Sequence, residues 1–162
     1  MNSFAEMRAI FDVDIYSMLD EVFKMPAIQQ TMIDFNQAQL QGGQDALGQK
    51  IVTIGGSPYR ARTIKIKKRK GQPTSRVTLK DTGEFYDTFK VKFVQNGYEI
   101  TADFDKGSSP SSFSEGDVSS NILDNFDEKF DFLGLQDEYL AELVLEHVYN
   151  MLYNILRKKL GL

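Results

Sequence analysis

The chain has 162 residues, 41% hydrophobic and 26% charged, with a formal net charge of -4. A chain of that length buries about 70% of its unfolded surface, enough for a core. With no cysteine and one histidine, it excludes disulfides, thiolate catalysis and zinc sites built on several histidines.

No apolar run reaches the roughly 18 residues of a membrane helix, so no membrane partner is expected. The opening "MNSFAEMRAIFDVD" lacks the basic and apolar regions of a signal peptide. We expect one domain over 1–162, with N-terminal helices over 1–43. In that region Phe11, Ile15, Leu19, Val22 and Phe23 repeat at helical spacing. Pro26 fits the first turn of a second helix, continued by Ile28, Met32, Phe35 and Ala38 and ended by Gly42-Gly43.

Short strands are expected next, making a β-sheet over 50–104. "KIVTI" stops at Gly55-Gly56, and "YRARTIKIKK" alternates Arg62, Ile64 and Ile66 against Thr63, Lys65 and Lys67. The second of these is the basic strand over 60–70. Arg60, Arg62, Lys65, Lys67, Lys68, Arg69 and Lys70 put seven cations in eleven residues with no anion. Against it stand eleven acids between Glu99 and Glu138. Three readings of the basic stretch stand: a subunit interface, a solvated face, or sequence-independent contact with nucleic acid. The absence of interleaved aromatics argues against stacking on single strands.

The turn "KGQPTS" leads to "RVTLK" and then to Asp81-Thr82-Gly83. Aspartic proteases use Asp-Thr-Gly, but two carboxylates must meet to share a proton, and this chain has one copy. The plainer reading is a structural corner. Asp81 caps a short helix, Glu84 completes a capping-box arrangement, and Phe85 and Phe89 face the core together. After it, "KVKFVQ", Asn96-Gly97 and "YEITADF" predict a hairpin that pairs Phe93 with Ile100 and Val91 with Ala102.

Residues 105–121 hold seven serines with Gly107, Pro110 and Gly116, the composition of a flexible loop. Phe113, alone near its centre, has the setting of a docking anchor. Beyond the loop, "DNFDEKFDF" alternates acids with phenylalanines in the manner of an interface segment. A C-terminal helix is expected over 136–160. Asp137 and Glu138 stand in its first turn, Arg157, Lys158 and Lys159 in its last, with Gly161 ending it. Leu140, Leu143, Val144, Val148, Met151, Leu152, Ile155 and Leu156 form its stripe, with His147 beside it. No catalytic residue, metal ligand set or cofactor site is expected. "IGGSPY" lacks the Gly-Lys-Ser/Thr of a phosphate loop, and the acid pairs lack calcium-loop spacing.

The order of these features resembles the virion morphogenesis proteins of tailed bacteriophages, the tail-completion or head–tail connector components. The matching residues are Tyr59, Arg62 and Thr63, then Leu79, Thr82, Gly83, Phe85 and Thr88, and finally Phe132-Leu133-Gly134-Leu135 opening the last helix. The likeness spans most of 50–160. It departs at Phe130-Asp131, where family members often carry arginine or proline, and at the serine-rich insert. The resemblance implies a non-catalytic subunit of a homo-oligomeric ring, contacting portal, adaptor or tail proteins. It also implies assembly in the bacterial host cytoplasm and residence in the virion. The alternative is a nucleic-acid-binding accessory module in transient contact with DNA through residues 60–70. The expected fold is α+β, a small, mostly antiparallel sheet packed by N- and C-terminal helices.

Overall fold

A computed structural model describes residues 14–94, 97–105 and 122–161. The loop expectation for 106–121, Phe113 included, and the Phe11 position of the first stripe fall outside the described residues. The fold is α+β, combining helices with a two-stranded antiparallel sheet. Its contacts cluster in two units. One holds residues up to Thr31 and from Asp137 onward, and the other runs from Met32 to Gln136.

In the first unit, helix α1 (Ile15–Phe23) starts at Asp14, whose carboxylate accepts from the Tyr16 and Ser17 amides at 3.1 Å each. That satisfies two of the orphan donors at the helix start. Met18 and Val22 are fully buried, whereas Ile15 is exposed, so the stripe is rotated from the expected one. Helix α2 (Pro26–Gly42) opens at Pro26 as expected. The C-terminal helix has three parts: α4 (Asp137–Glu142), a π-helical segment (Leu143–Val148) and α5 (Tyr149–Leu160). Gly161, at φ +70°, closes it in the left-handed conformation. α1 packs on the π-helical segment and on α5.

In the second unit, α2 carries two buried amides that hold the Phe132–Gln136 segment. Asn36 donates to the Phe132 carbonyl at 3.0 Å and accepts from the Gly134 amide at 3.4 Å. Gln39 donates to the Gly134 carbonyl at 2.7 Å and accepts from the Gln136 amide at 3.2 Å. These side chains replace a neighbouring strand for a backbone that would otherwise leave buried polar groups unpaired. Asp45, fully buried, accepts from the Leu47, Gln49 and Asp131 amides.

The sheet is smaller than expected. Strands β1 (Lys90–Val94) and β2 (Gly97–Thr101) form the hairpin, while the expected strand "KIVTI" makes only isolated bridges, Gln44 with Lys50 and Thr53 with Phe126. The hairpin register differs as well, with Phe93 opposite Tyr98 and Val91 opposite Ile100. The slip is two residues, so each side chain keeps its face and the apolar pattern cannot discriminate the two registers.

The expected strand "RVTLK" is irregular, with Leu79 at φ +50°, and tyrosine hydroxyls bind the backbone of Thr78. Thr78 donates its amide to the Tyr59 hydroxyl at 2.8 Å, and the Tyr86 hydroxyl donates to the Thr78 carbonyl at 2.5 Å. Burial, with Tyr59 adding to it, pushes the Tyr86 phenol far above its ordinary 10.0. Below about pH 10 the phenol is protonated both folded and unfolded. Above that, the unfolded chain releases the proton and the folded chain keeps it, so stability falls with rising pH. Urea midpoints should therefore fall more steeply between about pH 9 and about pH 11 in the wild type than in Tyr86→Phe. Parallel slopes would show that the Tyr86 phenol is not held neutral by the fold.

Phe85, Tyr86, Phe89, Phe130 and Phe132 are buried together. Phe85 lies 5.2 Å from both Phe89 and Phe104, and Phe104 lies 6.1 Å from Phe132, ring centre to ring centre. The phenylalanines of "DNFDEKFDF" thus turn inward, and Asp127, Glu128 and Asp131 face water. The rings of this segment form a wall of the core while its acids stay outward, as burial of rings of this size is strongly favourable.

Candidate functional site: a basic helix seated on the Asp-Thr-Gly corner

The basic stretch is a helix, α3 (Ala61–Arg69), not a strand. Alternating isoleucine and lysine read as period two, but arginine and lysine are good helix formers and no partner strand is in register to hold an extended chain. Its boundaries have ordinary causes. Arg60 is extended, at φ -66° and ψ 152°, and its carbonyl accepts the first turn's bond from Ile64 at 3.0 Å. At the far end Gly71 takes φ +67°, Gln72 donates to the Lys67 carbonyl at 2.9 Å and Gly71 to that of Lys68 at 3.1 Å. That is the Schellman pattern. Lys67, Lys68 and Arg69 in the last turn face the negative end of the helix dipole.

Helical geometry sorts the seven cations. Arg62, Lys65 and Arg69 fall at i, i+3 and i+7 and share one exposed face, with Lys68 one turn from Lys65. Arg60 and Lys70 are exposed at the two ends. Lys67 does not belong to this face. It is 5% exposed, and its ammonium donates to the Lys80 carbonyl at 2.7 Å and the Gln72 side chain at 3.1 Å, 4.8 Å from the centre of the Tyr59 ring. Expected as an interface residue, it is an internal anchor that fixes the helix to the chain entering the corner.

The Asp81-Thr82-Gly83 corner is the other half of this seat. Asp81 forms an ion pair with Lys70, and its carbonyl accepts from the Gln72 amide group at 2.7 Å. The short helix that follows is a single 3-10 turn, Tyr86–Thr88, whose N-cap is Phe85 with no side-chain cap. Asp81 therefore does not cap it. The separation is too long for a turn that starts at Phe85, and Thr82 is the residue whose hydroxyl accepts from the Glu84 amide, at 3.4 Å. Gly83, at φ +107°, makes the reversal, a conformation that suits glycine. The Lys70–Asp81 pair is half exposed and contributes at most about 1 kcal/mol.

Among the described residues no three acids, histidines or cysteines gather as a metal site. No helix among them is long and apolar enough to cross a membrane. His147 sits half-buried in the π-helical segment. Buried Lys67 is one site feature that sequence reasoning missed. Its signal was the helical phase, which sets residue 67 opposite 62, 65 and 69 once the stretch is wound at 3.6 residues per turn. Comparison with protein-family models, curated proteins and solved structures gives no match.

Proposed function

We propose that this chain is a structural virion subunit of a tailed bacteriophage, a component of a head–tail connector or tail-completion ring without catalytic activity, and that α3 is its charged assembly face. The observation that carries the reading is the presentation of that helix. Arg62, Lys65, Lys68 and Arg69 lie outward on one side, while Lys67, Gln72 and Asp81 tie the helix to the corner. A cationic face held this firmly suits docking on an acidic surface of the next copy or of a portal, adaptor or tail protein. Two motif residues of the resemblance, Phe85 and Phe132, join one aromatic cluster through Phe104. Assembly would take place in the bacterial host cytoplasm.

The test replaces Lys65, Lys68 and Arg69 with glutamine. Glutamine keeps helix propensity and places no acid at a helix C-terminus. The triple variant should keep its circular dichroism and melting temperature, yet fall at least tenfold in incorporation into particles. Normal incorporation would refute the assembly role of α3. The helical form also suits duplex DNA, whose phosphates would take up the same cations. Salt-dependent retention of the wild type on DNA, lost in the triple variant while particle incorporation stays normal, would decide for the nucleic-acid reading.

A further inference from the structure

We infer that the C-terminal helix carries a second, self-complementary surface through which two copies of this chain pair antiparallel about a two-fold axis near Tyr149. The apolar arc of this helix is wider than one contact needs. Leu143 and Val148 are buried, and Met151 and Ile155 half-buried, along one line. A second line turns outward: Leu145 is 70% exposed, Tyr149 62% and Tyr153 51%. Leu145, Tyr149 and Tyr153 recur every four residues, so they form a continuous stripe. Amphipathic helices with one buried face show one stripe bordered by polar residues. This helix shows a second apolar line next to the first, left exposed by the described residues. The change from α- to π-helical winding at Leu143–Val148 shifts the phase that produces it.

The charges beside the stripe identify its occupant. Asp137, Glu138, Glu142 and Glu146 occupy the first half with no cation among them, and Arg157, Lys158 and Lys159 occupy the last turn. Arg157 borders the stripe directly, its guanidinium 5.9 Å from the centre of the Tyr153 ring. A parallel pairing would set acids against acids and cations against cations. An antiparallel pairing with Tyr149 near the axis sets Leu145 against the partner's Tyr153 and Glu142 against the partner's Arg157. The helix thus carries its own complement, the condition for an isologous contact. The contact lies on the unit containing this helix and uses none of the cations of α3, so it stands apart from the assembly face proposed above.

Sedimentation equilibrium of the full chain should give the mass of two chains, falling to that of one in Tyr149→Glu, which puts like charges at the axis. The measurement is made in the Lys65, Lys68 and Arg69→Gln background as well, so that rings built through α3 do not obscure it. Because the chain has no cysteine, Tyr149→Cys reports the axis directly and should cross-link to its own copy under mild oxidation. A double reversal, Glu142→Lys with Glu146→Lys, should be monomeric alone, and so should Arg157→Glu with Lys159→Glu. Mixed, the two should give the mass of two chains. If the reversed variants lose helical circular dichroism, the Tyr149→Cys cross-link decides. A single-chain mass for the wild type, no cross-link at Tyr149→Cys, or an assembly insensitive to Tyr149→Glu would overturn the inference.

Discussion

Gly43→Ala should lower stability by about 2–5 kcal/mol, since it adds both backbone strain and a clash. Gly43 ends α2 at φ +82°, donating to the Leu40 carbonyl at 3.0 Å while Gln44 donates to that of Gln39 at 3.0 Å. Its own carbonyl accepts from Ile51 at 2.9 Å, so the residue joins the end of the helix to the following chain. A β-carbon there would lie 2.8 Å from the β-carbon of Arg76 and 3.3 Å from the Val77 carbonyl. Neither neighbour is the free end of a flexible side chain. The left-handed conformation costs a non-glycine residue roughly 1–2 kcal/mol, and the overlap adds roughly 1–3. Gly48→Ala is the matched control. Gly48 has a similar φ of +74°, but its nearest neighbour, the Gln136 side chain, is 4.0 Å away. It should lose only the conformational part. Thermal melts should put Gly43→Ala roughly 5–15 °C below the wild type and Gly48→Ala between the two. Equal melting temperatures for the two variants would show that the close approach to Arg76 is absent.

What the sequence disclosed and what it hid divide along a physical line. Helix ends were legible because they are local: Pro26 opening α2, Gly42-Gly43 closing it, and Gly161 after three cations closing α5 all follow from backbone chemistry within a few residues. The inward pair Phe85 and Phe89 was legible for the same reason. The basic stretch misled because Ile64-Lys65-Ile66-Lys67 satisfies period two and period 3.6 over so short a span, although Gly71 just beyond it was a helix stop read as part of the turn "KGQPTS". The buried amides of Asn36 and Gln39 were not legible at all. Their partners are the backbone of residues 132–136, nearly a hundred positions away, and no local pattern marks a polar side chain that will be satisfied by distant chain. At the candidate site, which cations face water depended on the helical phase, so the charge count was readable and its geometry was not.

That geometry makes adjacent lysines unequal. Lys67→Glu should unfold the seat of α3, whereas Lys68→Gln should leave stability within about 0.5 kcal/mol of the wild type. The Lys67 ammonium reaches two oxygen acceptors, the Lys80 carbonyl at 2.7 Å and the Gln72 side chain at 3.1 Å. A carboxylate in its place cannot donate to either, and it would sit buried against the same oxygens and the face of Tyr59. Leaving a buried charge unpaired costs about 3–5 kcal/mol. Lys67→Met separates the contributions, because it keeps the packing of the aliphatic stem and removes the donors. Its loss should be smaller, about 1–3 kcal/mol for acceptors left unsatisfied. Chemical denaturation of the three variants should therefore rank them Lys68→Gln, Lys67→Met, Lys67→Glu from most to least stable. The order bears on function as well as on the fold. A charge reversal that includes residue 67 would abolish assembly by unseating the helix, whereas changes at Lys65, Lys68 and Arg69 test the surface itself. Should Lys67→Glu prove as stable as Lys68→Gln, the ammonium is not held by the Lys80 carbonyl, and the anchored helix on which the assembly reading rests would have to be abandoned.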